Sequence, residues 1–234
     1  MAKTILICGK SGTGKTTSVR TLDPAETVIL RVINRTLPFR YAGVYGKEQK
    51  NLFHTPTYTD VLKGLEWANK RPEVKNIVIT DGTYIIRQEF FKLANTKGYD
   101  KFTAFAVHMQ QILQAIQNLR DDIKVFLEYH VENTVSDSGV TEYKPSTVGK
   151  LLDSQYNIFE NVDIILFALP QYEDKEIQYG FYTNRALDRN GAEIPAKSPM
   201  GMFKDNFIPN DLALVSQAID EYYGEGSAAE QGSV

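Results

Sequence analysis

Residues 8–17 read Cys-Gly-Lys-Ser-Gly-Thr-Gly-Lys-Thr-Thr, a glycine-rich run that ends in a lysine and two hydroxyl residues. The spacing Gly9-x-x-x-x-Gly14-Lys15-Thr16 is that of a phosphate-binding loop. In such a loop, successive backbone N–H groups surround phosphate oxygens, and the N-terminus of the following helix adds to the attraction. We therefore predict that this glycine-rich loop, residues 9–17, binds the phosphates of a nucleotide.

The side chains of the loop have distinct predicted roles. The glycines allow the backbone to approach the phosphates closely. Lys15 would reach the β- and γ-phosphates, and the Thr16 hydroxyl would bind Mg²⁺. The predicted nucleotide contacts are Gly9, Lys10, Ser11, Gly12, Thr13, Gly14, Lys15, Thr16 and Thr17.

An acid follows a very apolar run at residues 76–80. In phosphate-binding-loop proteins, an acid at the end of such a strand holds the Mg²⁺ shell, and we predict this role for Asp81. Alternatively, Asp81 is an ordinary aspartate that begins a turn with Gly82. Because Gly82 follows directly, the tandem Asp-Glu that activates water in many ATPases is absent.

A second polar strand end lies at residues 128–132. Side chains two apart on a strand share a face, so Glu128, His130 and Glu132 could point the same way. His130 could sense the γ-phosphate or polarise water, or be a packed strand-end histidine. Glu128 could act as a general base or be paired structurally. The predicted catalytic residues are Lys15, Asp81, Glu128 and His130.

These residues need a scaffold of alternating strands and helices. Strands are predicted at 4–8, 27–32, 76–80, 123–129, 162–169 and 176–183. Helices are predicted at 15–22, 85–95, 103–119, 149–159 and 211–223, with a further helix capped near Thr57. This order predicts an α/β fold with a mostly parallel central sheet flanked by helices. Ligands bind such sheets at the carboxyl ends of the strands, where Gly9, Asp81 and His130 would converge.

Length and composition narrow the class of protein. The 234 residues suit one domain, predicted at 1–223, with a disordered tail at 224–234. Segments 34–50 and 131–148 are predicted to be irregular, the second one mobile. The net charge of −3 argues against a strongly basic nucleic-acid binder but allows a local basic path. A single cysteine, no membrane-length apolar run and no recognisable signal peptide favour a cytoplasmic location.

Several nucleotide-dependent classes can be compared. A GTPase should carry an Asn-Lys-x-Asp element, which the chain lacks. A small-molecule kinase needs an arginine-bearing lid, and the only close arginine pair late in the chain is Arg185 and Arg189. A regulatory protein switched by nucleotide binding is a further alternative.

The chain resembles the RecA-like core and, more closely, the phage single-strand-annealing ATPases of the Sak group, fourth type. The resemblance extends over nearly the whole chain. It is carried by residues 9–17, Leu37-Pro38-Phe39, Lys97-Gly98-Tyr99-Asp100-Lys101-Phe102, Leu119-Arg120-Asp121-Asp122, Thr147-Val148-Gly149-Lys150-Leu151-Leu152 and Lys197-Ser198-Pro199-Met200-Gly201-Met202-Phe203.

The resemblance implies a RecA-like ATPase of phage DNA recombination in the host cytoplasm. It implies binding of ATP and single-stranded DNA, an annealing activity, a single-strand-binding protein as partner, and a homo-oligomeric ring or filament. Residues 90–103 and 131–148 would correspond to DNA-binding loops. DNA phosphates would be contacted by Lys92, Lys97, Lys101, Lys144 and Lys150. Bases would stack on Tyr99, Phe102 and Tyr143.

Two departures from the family pattern predict slow hydrolysis. The region just past the second strand, Arg31 to Arg35, has no acid where RecA carries its catalytic glutamate. Related annealing ATPases often carry two aspartates where this chain has Thr80 and Asp81. A basic residue of a neighbouring subunit would then complete the site, with Lys197 the first candidate and Arg185 the second.

Overall fold

The computed structural model describes residues 1–95, 98, 100–136, 139–147, 157–173 and 176–229. The strands are β1 (Lys3–Cys8), β2 (Thr27–Arg31), β3 (Leu52–His54), β4 (Asn76–Thr80), β5 (Lys124–Tyr129), β6 (Val131–Val135), β7 (Thr141–Pro145), β8 (Ile164–Ala168), β9 (Gln171–Glu173), β10 (Glu176–Gln178), β11 (Gly180–Tyr182), β12 (Ala186–Leu187), β13 (Glu193–Ile194) and β14 (Phe207–Pro209). The helices are α1 (Tyr58–Asn69), α2 (Thr83–Lys92), α3 (Asp100–Gln117) and α4 (Leu212–Ala229). Short 3₁₀ helices cover Thr16–Thr21, Ala42–Val44 and Ile158–Asn161.

A large sheet forms the centre of the fold, with strands in the order β14-β11-β8-β1-β5-β4-β2-β3. The neighbouring strands from β8 to β3 all pair in parallel. β11 runs antiparallel to β8 and β14. The sheet is therefore mostly parallel, which confirms the predicted α/β class. Because β5 lies between β1 and β4, the strand that ends just before His130 separates the glycine-rich loop from Asp81.

Helices cover both faces of this sheet. On one face, the apolar side of α3 presents Phe105, Met109 and Ile112, all fully buried. This is the continuous stripe that the sequence predicts for a helix packed on a core. On the other face, Val19 from the 3₁₀ helix packs with Val215 and further residues of α4. The 3₁₀ helix that follows the glycine-rich loop is therefore packed between the sheet and α4.

The segment after His130 differs from the sequence prediction. Residues 131–148 were expected to be a mobile loop, but β6 and β7 form an antiparallel hairpin within it. The hairpin belongs to a small sheet of order β12-β13-β7-β6. Valine and threonine on both sides of the turn favour strands, and the Ser136 N–H closes the turn by donating to the Val140 carbonyl oxygen (2.9 Å).

The helix predicted at 15–22 is also different, because Thr16–Thr21 forms a 3₁₀ helix. The Ser18 and Thr21 hydroxyls donate to carbonyl oxygens three residues earlier, those of Lys15 and Ser18. Such side-chain bonds compete with regular α-helical pairing. The helix predicted at 149–159 falls largely outside the described residues, and the described part at Ile158–Asn161 is a 3₁₀ helix.

The C-terminal helix begins and ends later than predicted. Asn210 was the expected cap, but the Asp211 carboxylate accepts the N–H groups of Ala213 (2.9 Å) and Leu214 (3.1 Å). α4 continues to Ala229, into the segment 224–234 that was predicted to be disordered. Residues 230–234 lie outside the described part. Among the described residues, no helix is both long and apolar enough to cross a bilayer.

Candidate nucleotide site

A cavity of about 560 Å³ opens at the carboxyl ends of β1, β4 and β5. We call it the first cavity. The glycine-rich loop forms one wall, and Asp81, Glu128 and His130 form part of the opposite wall. The parallel register places these strand ends together, as the alternation of strands and helices predicts. The structure thus brings together all four predicted catalytic residues, Lys15 among them.

The glycine-rich loop needs its first glycine for steric reasons. Gly9 has a φ of 156°, and a Cβ at this position would lie 2.6 Å from the Ala168 carbonyl oxygen. The loop therefore passes directly against the end of β8. Within the described part of the chain, the N–H groups of Gly12, Thr13 and Gly14 donate to no protein acceptor. The donors of Gly12 and Gly14, which line the first cavity, suit anionic oxygens placed there.

Lys15 is held inside its own loop. Its ammonium group donates to the carbonyl oxygens of Gly9 and Lys10, both at 2.8 Å, and the residue is only 7% exposed. Burial lowers the pKa of Lys15, while the nearby Glu128, Cys8 and Asp81 act in the opposite direction. The structure therefore presents a desolvated cation next to the loop N–H groups.

Glu128 lies in direct contact with the loop. The Thr16 hydroxyl donates to Glu128 Oε2 (2.7 Å), and Glu128 Oε1 is buried without a hydrogen-bond partner among the described residues. Burial raises the pKa of Glu128 to about 7, against the influence of Thr16 and Lys15. The orphaned oxygen leaves Glu128 with unused acceptor capacity beside the residue predicted to bind Mg²⁺.

Asp81 and His130 face each other across the end of the sheet. The distance from His130 Nε2 to Asp81 Oδ1 is 3.7 Å. Asp81 has a φ of 57°, a left-handed conformation that costs energy in residues other than glycine and is tolerated best by Asn and Asp. The His130 N–H donates to the Thr83 hydroxyl (2.7 Å), which fixes the backbone where β5 ends.

Three arginines that the sequence analysis did not assign also line the first cavity: Arg20, Arg31 and Arg35. Arg31 donates from a terminal nitrogen to the Arg35 carbonyl oxygen, and its buried Nε has no partner among the described residues. Arg20 donates to the Thr17 carbonyl oxygen and to Asn210 Oδ1, both at 2.8 Å. Because Arg31 ends β2, the strand-end rule that selected Asp81 could also have selected it.

Asn210 and Tyr179 complete the wall on the side of β11 and β14. Asn210 is buried, and its amide donates to the Gly14 carbonyl oxygen (3.0 Å). A Cβ on Gly14 would come within 3.1 Å of the Tyr179 ring. Residues from the C-terminal half of the chain thus contact the glycine-rich loop, and no local sequence pattern predicts these contacts.

The residues predicted to contact DNA are spread over other surfaces. Lys92 is exposed at the end of α2, whereas the Phe102 ring is partly buried against Phe90 and Phe105. Tyr143 is 7% exposed and packs against Phe167, so its ring faces are covered. Lys101 and Lys144 are each engaged: Lys101 donates to Leu93, and Lys144 pairs with Glu132 (3.5 Å). Lys97, Tyr99 and Lys150 lie outside the described residues.

The two residues predicted to act on a neighbouring subunit do not line the first cavity. The backbone of Lys197 pairs with Ile165, near the amino end of β8. Arg185 is largely exposed and forms an ion pair with Glu193 (3.4 Å). Their predicted role in a neighbouring site stays a prediction.

Comparison with protein-family models finds no match, and no curated protein matches the chain. Among solved structures, the chain is similar to a KaiC-like protein from the hyperthermophilic archaeon Pyrococcus horikoshii. The two share 12% sequence identity at a TM-score of 0.41, and the alignment covers 76% of each chain.

Proposed function

We propose that the chain binds ATP with Mg²⁺ in the first cavity and hydrolyses it slowly, as a RecA-like ATPase. One arrangement carries the proposal: the buried Lys15 ammonium and the unpaired N–H groups of the glycine-rich loop face a cavity that Asp81 and Glu128 close from the other side. Triphosphate oxygens would replace the two carbonyl oxygens as partners of Lys15. The exchange would replace two neutral acceptors of the ammonium group by anionic ones.

The residues present also fit a magnesium ion. The Thr16 hydroxyl and the Asp81 carboxylate would hold it, and Glu128 Oε1 offers a further acceptor for its water shell. No group of three or more His, Cys, Asp or Glu side chains forms a metal cage within the described residues. This suits an ion bound largely through phosphates and water. When bound, Mg²⁺ would neutralise charge on the β- and γ-phosphates.

Slow hydrolysis is expected because, among the described residues, no carboxylate near the glycine-rich loop is placed as a free base for water. Glu128, the acid nearest Thr16, already accepts the Thr16 hydroxyl, and Gly82 replaces the second acid that would follow Asp81. His130 faces the cavity and could orient a water molecule. Arg31 would contribute positive charge from the same chain, where the RecA pattern has its glutamate. These features support binding and charge neutralisation more than activation of water.

The finer part of the proposal rests on the resemblance to the annealing ATPases. We propose that ATP binding orders a homo-oligomer that pairs complementary single-stranded DNA beside a single-strand-binding protein, during phage recombination in the host cytoplasm. The exposed Lys92 is the DNA-contact candidate with the most open side chain among the described ones. Lys197 or Arg185 of a neighbouring subunit would then approach the triphosphate.

Calorimetry with ATP and Mg²⁺ tests the central claim. The intact chain should bind, and Lys15→Ala should lose most of the affinity. Lys70→Ala should bind normally because Lys70 forms its ion pair with Glu66 on the surface at the end of α1. No heat of binding with the intact chain would overturn the proposal. Phosphate release, measured with and without single-stranded DNA, separates an ATPase from a nucleotide-switched protein that binds without turnover.

A further inference from the structure

A second cavity of about 610 Å³ lies on the other side of the glycine-rich loop. Ser11, Gly12 and Tyr179 belong to the walls of both cavities. The far wall of the second cavity consists of the β9–β10 hairpin and the segment around Arg189. The glycine-rich loop contributes Lys10 to Thr13 to its near wall, whereas Tyr172 and Arg189 in the far wall were not predicted to bind a ligand.

The second cavity is lined by Tyr143, Tyr172, Tyr179 and Tyr182, and two of them are accessible. Tyr172 is 59% exposed and Tyr179 is 47% exposed, whereas Tyr143 is buried at the base. The Arg189 guanidinium lies 4.9 Å from the centre of the Tyr172 ring, and Lys10 Nζ lies 5.6 Å from the Tyr143 ring. An exposed tyrosine ring with a guanidinium over one face and a lysine nearby suits a ligand that combines a planar base with a negative charge.

The acid in this wall is already committed to protein contacts. Asp188 accepts the Tyr143 hydroxyl (2.9 Å) and the N–H groups of Asn190 (2.8 Å) and Ala192 (2.9 Å). Burial opposes its charge, but these hydrogen bonds lower the pKa of Asp188. Asp188 stays ionised but its acceptors are used by the protein, so Lys10 and Arg189 together leave the wall with one net positive charge.

We propose that the second cavity binds one nucleotide of an unpaired nucleic-acid strand, with its base on Tyr172 and Tyr179 and its phosphate near Lys10 and Arg189. The proposal rests on the proposed function and adds strand contacts beside the glycine-rich loop to that of Lys92 on α2. A strand fits better than a free nucleoside triphosphate because Lys15, the buried lysine of the glycine-rich loop, lines the first cavity and not the second. Such a weak single contact becomes useful when many linked nucleotides bind along an oligomer.

Fluorescence anisotropy of a labelled oligothymidylate tests the proposal. Tyr172→Ala should weaken binding by about tenfold, since stacking on one aromatic side chain contributes on that order. Arg189→Ala should weaken it and reduce the slope of log affinity against log salt by about one. Tyr222→Ala, which removes a partly exposed tyrosine on α4, should leave binding unchanged. Thermal melting of each variant verifies that it is folded.

Three results would overturn the inference. The first is an intact chain that binds ATP but not the oligonucleotide, and the second is a Tyr172→Ala variant with normal strand affinity. The third is displacement of the oligonucleotide by micromolar thymidine monophosphate, which would make the cavity a mononucleotide site. Calorimetry with ATP on the same samples keeps the two proposals apart. Loss of ATP binding by the intact chain contradicts the proposed function, whereas normal ATP binding by Tyr172→Ala shows that only the strand site has changed.

Discussion

At the scale of single residues, the first cavity combines groups that sequence reasoning can find with groups that it cannot. Lys15 and Asp81 follow from a spacing and a strand end. Asn210 does not, because its hydrogen bond to the Gly14 carbonyl oxygen joins residues 196 positions apart. Three buried atoms of this cavity have no hydrogen-bond partner in the described part of the chain: Thr80 Oγ1, Glu128 Oε1 and Arg31 Nε. Their state depends on packing and is visible only in three dimensions.

The first glycine of the loop should be the most sensitive to a methyl group. Gly9→Ala should destabilise the fold by about 1–3 kcal/mol through backbone strain alone, and the contact with Ala168 adds to this. Gly12→Ala is the matched control: its φ is 80°, but a Cβ there meets nothing within 4 Å. Urea unfolding should rank Gly9→Ala as clearly less stable than Gly12→Ala. Equal stabilities would contradict the observed packing against β8.

Arg31 should contribute to triphosphate binding from within the same chain. Hydrogen bonds to charged groups contribute about 1.5–3 kcal/mol, so Arg31→Ala should weaken ATP binding about 10- to 100-fold. Arg71→Ala provides the control, since Arg71 pairs with Glu73 on the surface. Calorimetry on both variants measures the difference, and unchanged affinity of Arg31→Ala would place its guanidinium outside the binding site.

At the scale of elements, prediction succeeded where one local pattern decides the structure. β4 has the bounds predicted, and Thr57 caps α1 by accepting the Asp60 N–H (3.2 Å). β3 escaped prediction because three residues are too few for a periodic signal. The β6–β7 hairpin was missed because polar residues outweighed its strand-forming valines and threonines, although Ser136 and Gly139 mark the turn.

The contact between β5 and α4 offers a test at this scale. Lys124 is buried at the start of β5, and its ammonium donates to both carboxylate oxygens of Asp220 on α4 (2.7 and 2.6 Å). Asp220→Asn should cost about 1–3 kcal/mol because it leaves a buried cation without its counter-charge. Adding Lys124→Met should recover much of the loss. Chemical denaturation of the two variants measures this, and a double variant less stable than Asp220→Asn would refute the explanation.

At the scale of the whole molecule, the residues of the first cavity meet at the carboxyl ends of the central strands of one sheet. The glycine-rich loop, Asp81 and His130 come from separate segments of the chain. Asn210, which lies just before α4, also lines the cavity and binds the Gly14 carbonyl oxygen. A ligand bound there would contact segments from residues 11 to 210 at once. Its binding free energy should therefore stabilise the fold as a whole.

Thermal denaturation with and without ATP and Mg²⁺ measures this stabilisation. At a ligand concentration of about 100 times Kd, the stabilisation is about 2.7 kcal/mol, which raises Tm by about 5–10 °C in a protein of this size. Lys15→Ala should show almost no shift. A comparable rise in the variant would mean that ATP acts elsewhere on the chain.

The wall between the two cavities has a thermodynamic consequence. Ser11 and Gly12 line both cavities. A ligand in one cavity that shifts these residues therefore changes the affinity of the other cavity for its ligand. Linkage then demands reciprocity: the factor by which a triphosphate changes the affinity for a strand equals the factor by which the strand changes the affinity for the triphosphate. Two titrations, each repeated with the opposite partner saturating, would give the same ratio.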